Sequence, residues 1–230
     1  MIELREVGVT VPGAAPGVPP RVLLTDVTLT LSERRIAVIG ANGSGKSTLL
    51  RLLNGLVLPT RGTVRVNGLD TAAEGSAVRR AVGFVFTDPL AQLVMPTPVE
   101  DVELSLRRTV PRPARRARAS ELLSAYGLGA LQHSSVYDLS GGERQLVALV
   151  SVLAVEPSIV VADEPTTLLD LRNRNRIRDE LSRLDQQLVV ATHDLELAQD
   201  ADRVLVVEGG RVVADGPPDV AIAAYVELVS

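Results

Sequence analysis

The sequence predicts an α/β fold: a buried parallel sheet covered by helices, with an α-helical segment inserted between its strands. Three observations predict it. Short apolar runs at 35–39, 158–162, 188–191 and 204–207 alternate with stretches of helical character, as strands buried on both faces do. The first of these runs ends in a glycine loop that opens a helix, Gly40-Ala41-Asn42-Gly43-Ser44-Gly45-Lys46-Ser47, which fits the phosphate-loop pattern G-x-x-x-x-G-K-[ST] at every position. From about residue 100 to 156 the pattern is helical throughout, with helices expected over 114–125 and 142–154.

In chain order, residues 2–11 alternate as a strand, the Pro/Gly-rich run 12–20 forces a mobile loop, and strand character resumes over 27–31. Residues 47–53 read as the helix after the glycine loop, and 63–67 and 82–86 as further strands. The first 86 residues and the last 75 or so are expected to share one sheet. No internal repeat or heptad run is visible.

Composition narrows the class. The 230 residues are 46% hydrophobic, enough for a substantial core, and there is no cysteine, which excludes disulfides and thiolate metal sites. The longest apolar stretch, 146–155, is interrupted by Ser151 and falls short of the ~20 residues that span a bilayer. The start of the chain has no basic end followed by an apolar core, so no secretory signal is visible and cytoplasmic residence is expected. A net charge of −4 argues against nucleic acid as a general partner. With only five aromatic residues, Phe84, Phe86, Tyr126, Tyr137 and Tyr225, aliphatic packing must dominate the core.

Lys46 is the single lysine beside 23 arginines. Either side chain carries a solvated surface charge, but a phosphate loop needs a slim ammonium that reaches the β- and γ-phosphates, and a planar guanidinium does not replace it. The backbone N–H groups of residues 43–48, Thr48 included, would wrap the phosphates at a helix N-terminus, and Ser47 would ligate Mg2+. A second motif, Ile159-Val160-Val161-Ala162-Asp163-Glu164-Pro165-Thr166, delivers two adjacent carboxylates at a strand end. Asp163 has the position of a Mg2+-holding aspartate, and Glu164 that of a general base polarising the attacking water.

The third motif, Leu139-Ser140-Gly141-Gly142-Glu143-Arg144-Gln145, precedes a helix. On physics alone it is a capped helix or a phosphate contact. With it the chain resembles the ABC transporter ATPases, in which LSGGE-R-Q is the signature. The resemblance spans the chain in order: phosphate loop, signature, Asp163-Glu164, the D-loop Thr167-Leu168-Leu169-Asp170, and His193 as switch histidine. It implies a P-loop NTPase (RecA-like) core with a parallel sheet, an antiparallel β portion and an inserted α-helical subdomain. The whole of 1–230 would be one ATP-binding domain, with core at about 1–86 and 156–230 and helical subdomain at about 87–155. It also implies ATP and Mg2+ as ligands and a head-to-tail pair of ATP-binding subunits. Ser140, Gly141, Gly142, Glu143 and Asp170 would then meet nucleotide held by the partner's phosphate loop, and His193 the γ-phosphate. His133 matches no motif and reads as a surface residue.

Two positions depart from the family pattern. Thr87 stands where a Q-loop glutamine is usual, so its hydroxyl would reach Mg2+ only through water. Val11 stands where many relatives stack an aromatic ring on adenine.

The stretch 86–102 resembles the Q-loop region of energy-coupling factor (ECF) ATPases, and its Phe-Thr-Asp-Pro variant resembles the ATPase of actinobacterial biotin uptake systems. That likeness implies an ECF transmembrane coupling subunit and a substrate-binding membrane subunit as partners, at the cytoplasmic face of the membrane. Cobalt or nickel importers, exporters and soluble non-transport ABC ATPases are the alternatives. With Leu139 only 93 positions after Lys46 there is no room for the long coiled coil of repair and chromosome-organising forms. The arginines at 107, 108, 112, 115, 116 and 118, and those at 172, 174, 176 and 178, read as solvated helical faces.

Overall fold

The computed structural model describes residues 1–13, 15 and 17–230, so the loop expected over 12–20 lies partly outside the described residues. Strands β1 (Ile2–Val11), β2 (Arg21–Leu31) and β3 (Arg35–Ile39) lead into helix α1 (Lys46–Leu53). Then come β4 (Arg61–Val66), β5 (Leu69–Asp70), α2 (Gly75–Ala81) and β6 (Val82–Val85). The next segment carries only helices, α3 (Pro98–Ser105), α4 (Arg112–Ala125) and α5 (Gly141–Leu153), with short 3-10 turns between them. The chain continues through β7 (Ile159–Asp163), α6 (Leu171–Ser182), β8 (Gln187–Ala191), α7 (Leu195–Gln199), β9 (Arg203–Glu208), β10 (Arg211–Gly216) and α8 (Pro218–Val229).

Six strands form the main sheet in the order β10-β9-β3-β8-β7-β6, parallel except for β10, which pairs antiparallel with β9. The expectation that the first 86 residues join this sheet is corrected. Only β3 and β6 do, while β1, β2, β4 and β5 build a separate antiparallel sheet in the order β2-β1-β4-β5. The physical reason is in the pattern. β1 and β2 alternate buried and exposed positions, as strands covered on one face do, whereas β3 and β7 are buried almost end to end.

The main sheet divides the core into two clusters. Ala37, Ile39, Val160, Ala162, Leu188, Val190, Val204 and Val206 share one cluster with α5 of the helical segment and with α6, α7 and α8. Their neighbours Ile36, Val38, Ile159, Val161, Val189, Ala191, Leu205 and Val207 face α1 and the antiparallel sheet. A slip of one residue in β3 would exchange these partners, so the register is fixed from both sides. Leu123, Val147 and Leu149 of the helical segment pack in the first cluster, so that segment shares its core with one face of the sheet.

Candidate phosphate-binding cleft

Because five neighbouring strands run parallel, their C-terminal ends share one edge, where open α/β sheets bind ligands. β3 delivers the glycine loop there, β6 delivers Phe86 and Thr87, β7 ends in Asp163 and Glu164, β8 leads to His193, and β9 to the turn Gly209-Gly210. The cleft at this edge is lined by Asn42, Gly43, Gly45, Lys46, Ser47, Thr48 and Glu164, and also by Arg21, Val22, Leu23, Gly209 and Gly210. Sequence reasoning found the first seven and missed the other five.

The loop is braced from behind. Gly45 has φ 116°, and a Cβ there would sit 3.0 Å from the Leu23 carbonyl oxygen of β2, so only glycine fits without strain. The Gly210 N–H donates to the Ser44 carbonyl (2.8 Å), and the Gly210 carbonyl accepts from the Thr25 N–H (2.8 Å), tying the loop to both sheets. Ser44 is buried, and its hydroxyl has no hydrogen-bond partner.

Lys46 is only 6% exposed. Its ammonium donates to the carbonyls of Gly40 (2.8 Å) and Ala41 (3.1 Å) and lies 3.8 Å from Glu164 Oε1. At that distance the attraction is about 4 kcal/mol at an effective dielectric of ~20. Desolvating two charges costs a similar amount. The pair therefore holds its geometry without contributing appreciable stability, and both groups keep capacity for a ligand.

Glu164 adopts a left-handed backbone (φ 51°), and its N–H continues the β7–β8 ladder by donating to the Ala191 carbonyl (2.9 Å). Its Oε2 accepts from the Thr167 hydroxyl (3.1 Å) and faces His193 Nδ1 at 2.6 Å. A carboxylate only accepts, so the imidazole proton sits on Nδ1. Oε1 is buried without a hydrogen-bond partner, the arrangement of a carboxylate oxygen held ready to take a proton. His193 itself is exposed.

Asp163 is buried, and burial pushes its carboxyl above the usual carboxylate range against the opposing pull of the Ser47 hydroxyl and of Arg51. Ser47 donates to Asp163 Oδ1 (2.9 Å), and an Arg51 guanidinium nitrogen lies 3.8 Å from Oδ2. A hydroxyl and a carboxylate side by side are the hard oxygen donors Mg2+ prefers. Among the described residues no group of three or more His, Cys, Asp or Glu is placed to hold a metal. This fits an ion that takes one or two protein oxygens and completes its shell with phosphate and water. The Thr87 hydroxyl donates to the backbone carbonyl of Asp163 (2.7 Å), anchoring β6 to this segment.

The structure does not bring the other expected site residues to this cleft. Ser140 caps α5 in a reciprocal pair: Glu143 N–H donates to the Ser140 hydroxyl (3.3 Å) and Ser140 N–H donates to Glu143 Oε2 (2.8 Å). These bonds lower the Glu143 pKa. Asp170 caps α6, accepting from the Asn173 N–H (2.8 Å), and Asn173 donates its amide to Asp170 Oδ2 (3.1 Å). A Cβ on Gly142 would collide with Asn173, so the starts of α5 and α6 are packed at glycine distance, while Gly141 lies against Leu169.

Two glutamines, Gln92 of the 86–102 stretch and the Gln145 that closes the signature motif, join the helical segment to the cleft. Gln92 accepts from Phe86 N–H (3.1 Å) and donates to the Ala148 carbonyl of α5 (3.0 Å), while Gln145 donates to the Phe86 carbonyl (3.2 Å). Three of the arginines read as solvated faces are also structural, and Arg115 donates to the carbonyls of Val110 (2.7 Å) and Arg107 (2.9 Å). Arg176 donates to the Tyr126 carbonyl (2.7 Å), and Arg178 binds Glu196 (2.8 Å) and Asp200 (2.9 Å).

Residues 24–167 match the family model described as ABC transporter. An ABC transporter ATP-binding protein of Deinococcus radiodurans is 48% identical over 100% of this chain and 99% of its own length. The biotin transport ATP-binding protein BioM of Rhizobium etli is 45% identical over 91% of this chain and 94% of its own. The energy-coupling factor transporter ATP-binding protein EcfA1 of Halalkalibacterium halodurans is 41% identical over 85% and 72%. Among solved structures, a dimer of the ATP-binding cassette MJ0796 bound to ADP and Pi superimposes with TM-score 0.84 at 32% identity, covering 95% of this chain and 99% of that one. CbiO1 from Clostridium perfringens, part of the ABC transporter complex CbiONQ, gives TM-score 0.80 at 28% identity over 98% and 92%. The cassette fold is shared: a P-loop NTPase core with an antiparallel β subdomain and a helical subdomain. The chain belongs to the ABC transporter family and is an ATPase that hydrolyses ATP for transport.

Proposed function

We propose that the chain is the ATP-hydrolysing subunit of an ECF-type importer that takes up a vitamin, biotin in the first place. The observation that carries this reading is the near full-length likeness to the biotin ATPase BioM, supported by the likeness to EcfA1 and to CbiO1. No described helix is long and apolar enough to cross a membrane, so the cargo path belongs to partners: an ECF transmembrane coupling subunit and a substrate-binding membrane subunit. The chain works at the cytoplasmic face of the membrane. A groove on the helical segment lined by Met95, Leu104, two glutamates (100 and 103) and three arginines (107, 115 and 116), beside the exposed Val94, is the docking face for the coupling subunit.

In this reading Lys46 and the N–H groups of 43–48 hold the phosphates, and Ser47 and Asp163 hold Mg2+, which supplies charge neutralisation on the phosphate oxygens. Glu164 Oε1 takes the proton of the attacking water while Thr167 and His193 fix Oε2. A second ATP-binding subunit, head to tail, brings its own Ser140–Glu143 turn and Asp170 to the nucleotide. That arrangement accounts for the distance of these residues from the cleft and is in keeping with the dimeric MJ0796. The test is loss of high-affinity biotin accumulation on deleting the gene in cells that depend on it, with rescue by the wild-type chain. Unchanged biotin uptake beside lost cobalt or nickel uptake would transfer the assignment to metal import.

A further inference from the structure

At the end of the cleft beyond the phosphate loop the wall is formed by β2, through Arg21, Val22 and Leu23. None of the five aromatic residues lines it. Arg21 pairs with Val11 across the β1–β2 ladder, and residues directly opposite each other in an antiparallel pair project from the same face. Arg21 is therefore the side chain that shares Val11's face of the ladder, and it lines the end of the cleft. Both are exposed, and among the described residues the Arg21 guanidinium has no hydrogen-bond or ion-pair partner. In a chain whose basic residues are nearly all arginine, the identity of residue 21 says little. Its placement says more: a planar cation at the mouth of the cleft, beside Val11 on the same face of the ladder.

We infer that the plane of the Arg21 guanidinium is the stacking platform for the nucleobase, in place of an aromatic ring. The inference rests on the reading of this cleft as the ATP site. A guanidinium is flat, delocalised and weakly hydrated, and it stacks on π faces as an ammonium does not. Val11 adds apolar contact at its side. Stacking reads the face of a base and not its hydrogen-bonding edge, so the chain should bind ATP and GTP with similar affinity.

The experiment is calorimetric titration of the full chain, in Mg2+, with ATP, GTP, ADP and inorganic tripolyphosphate. Arg21→Ala should weaken ATP and ADP about threefold to tenfold and leave tripolyphosphate unchanged. Arg21→Lys, which keeps the charge and discards the plane, should lose nearly as much, and Arg21→Tyr should restore binding. Equal losses for ATP and tripolyphosphate would make Arg21 a phosphate charge and overturn the inference, as would wild-type ATP affinity in Arg21→Lys or Arg21→Ala. A control separates this from failure of the cleft reading itself: if Lys46→Ala left ATP affinity untouched, the nucleotide would lie elsewhere.

Discussion

In the proposed reading the strand-end cleft and the start of α5 both meet phosphate, yet they are finished to different degrees. In the cleft, Lys46 and Asp163 are buried and Glu164 nearly so, each held by partners from the glycine loop, α1 or the ends of β7 and β8, with one carboxylate oxygen and one serine hydroxyl left unpaired. At α5, Ser140 and Glu143 satisfy one another three residues apart at an exposed turn. The first region has its chemistry assembled within one chain. The second has only its shape, because a capping box closes the side-chain bonds and leaves N–H groups of the first turn to be met from outside. On that reading, a site divided in this way would bind nucleotide alone and need another surface to complete it.

The comparison breaks most sharply at Glu164. Glu164→Gln should lower phosphate release by at least ~10²-fold while ATP titrates normally; turnover near the wild-type rate would remove this carboxylate from the role of base. Lys46→Ala should weaken nucleotide binding itself, by about tenfold or more for loss of charge-assisted hydrogen bonds, measured by the same titration. At the other region the effects move from binding to architecture. Gly142→Ala must displace Asn173, and overpacking of this kind costs about 1–3 kcal/mol. Thermal unfolding should show the loss while ATP affinity of the isolated chain stays unchanged. Ser140→Ala should cost about 1 kcal/mol through the lost cap.

The smallest effect is a pH dependence. Bonds from Ser140 hold the folded Glu143 carboxyl below its ordinary value of 4.5. Its contribution to stability is therefore present above that value and is lost as pH falls through the lower folded value. Glu143→Gln should flatten this part of the acid limb in unfolding curves recorded from pH 5 downward. An unchanged acid limb would leave the capping box without its charged half.

What the sequence made legible was contiguous. The glycine loop, Asp163-Glu164 and the Ser140–Glu143 turn each require particular residue types in an unbroken run, and the apolar runs of β3, β7, β8 and β9 announce strands buried on both faces. What it hid was long-range partnership. The alternation of β1 and β2 specifies strands covered on one side, but nothing local says which sheet they join. Arg21, Leu23 and Gly210 enter the cleft through position and backbone, so no side-chain motif marks them. Gly209-Gly210 between two apolar runs is a hairpin signal, and that signal would have found the turn without revealing that it braces the phosphate loop. Gln92 and Gln145 stood inside motifs, but their bonds were not legible, since their partners are main-chain groups brought near only by folding.

The Gly209-Gly210 turn has one more consequence, for how the molecule breathes. Gly209 is exposed and Gly210 is buried, with its N–H donated to the phosphate loop and its carbonyl accepting from β2. Two adjacent amides at the tip of one hairpin should therefore exchange with deuterium on separate timescales, Gly209 within the fast fraction and Gly210 only when the main sheet opens. The slow proton at that tip would report the integrity of the nucleotide cradle from a residue with no side chain.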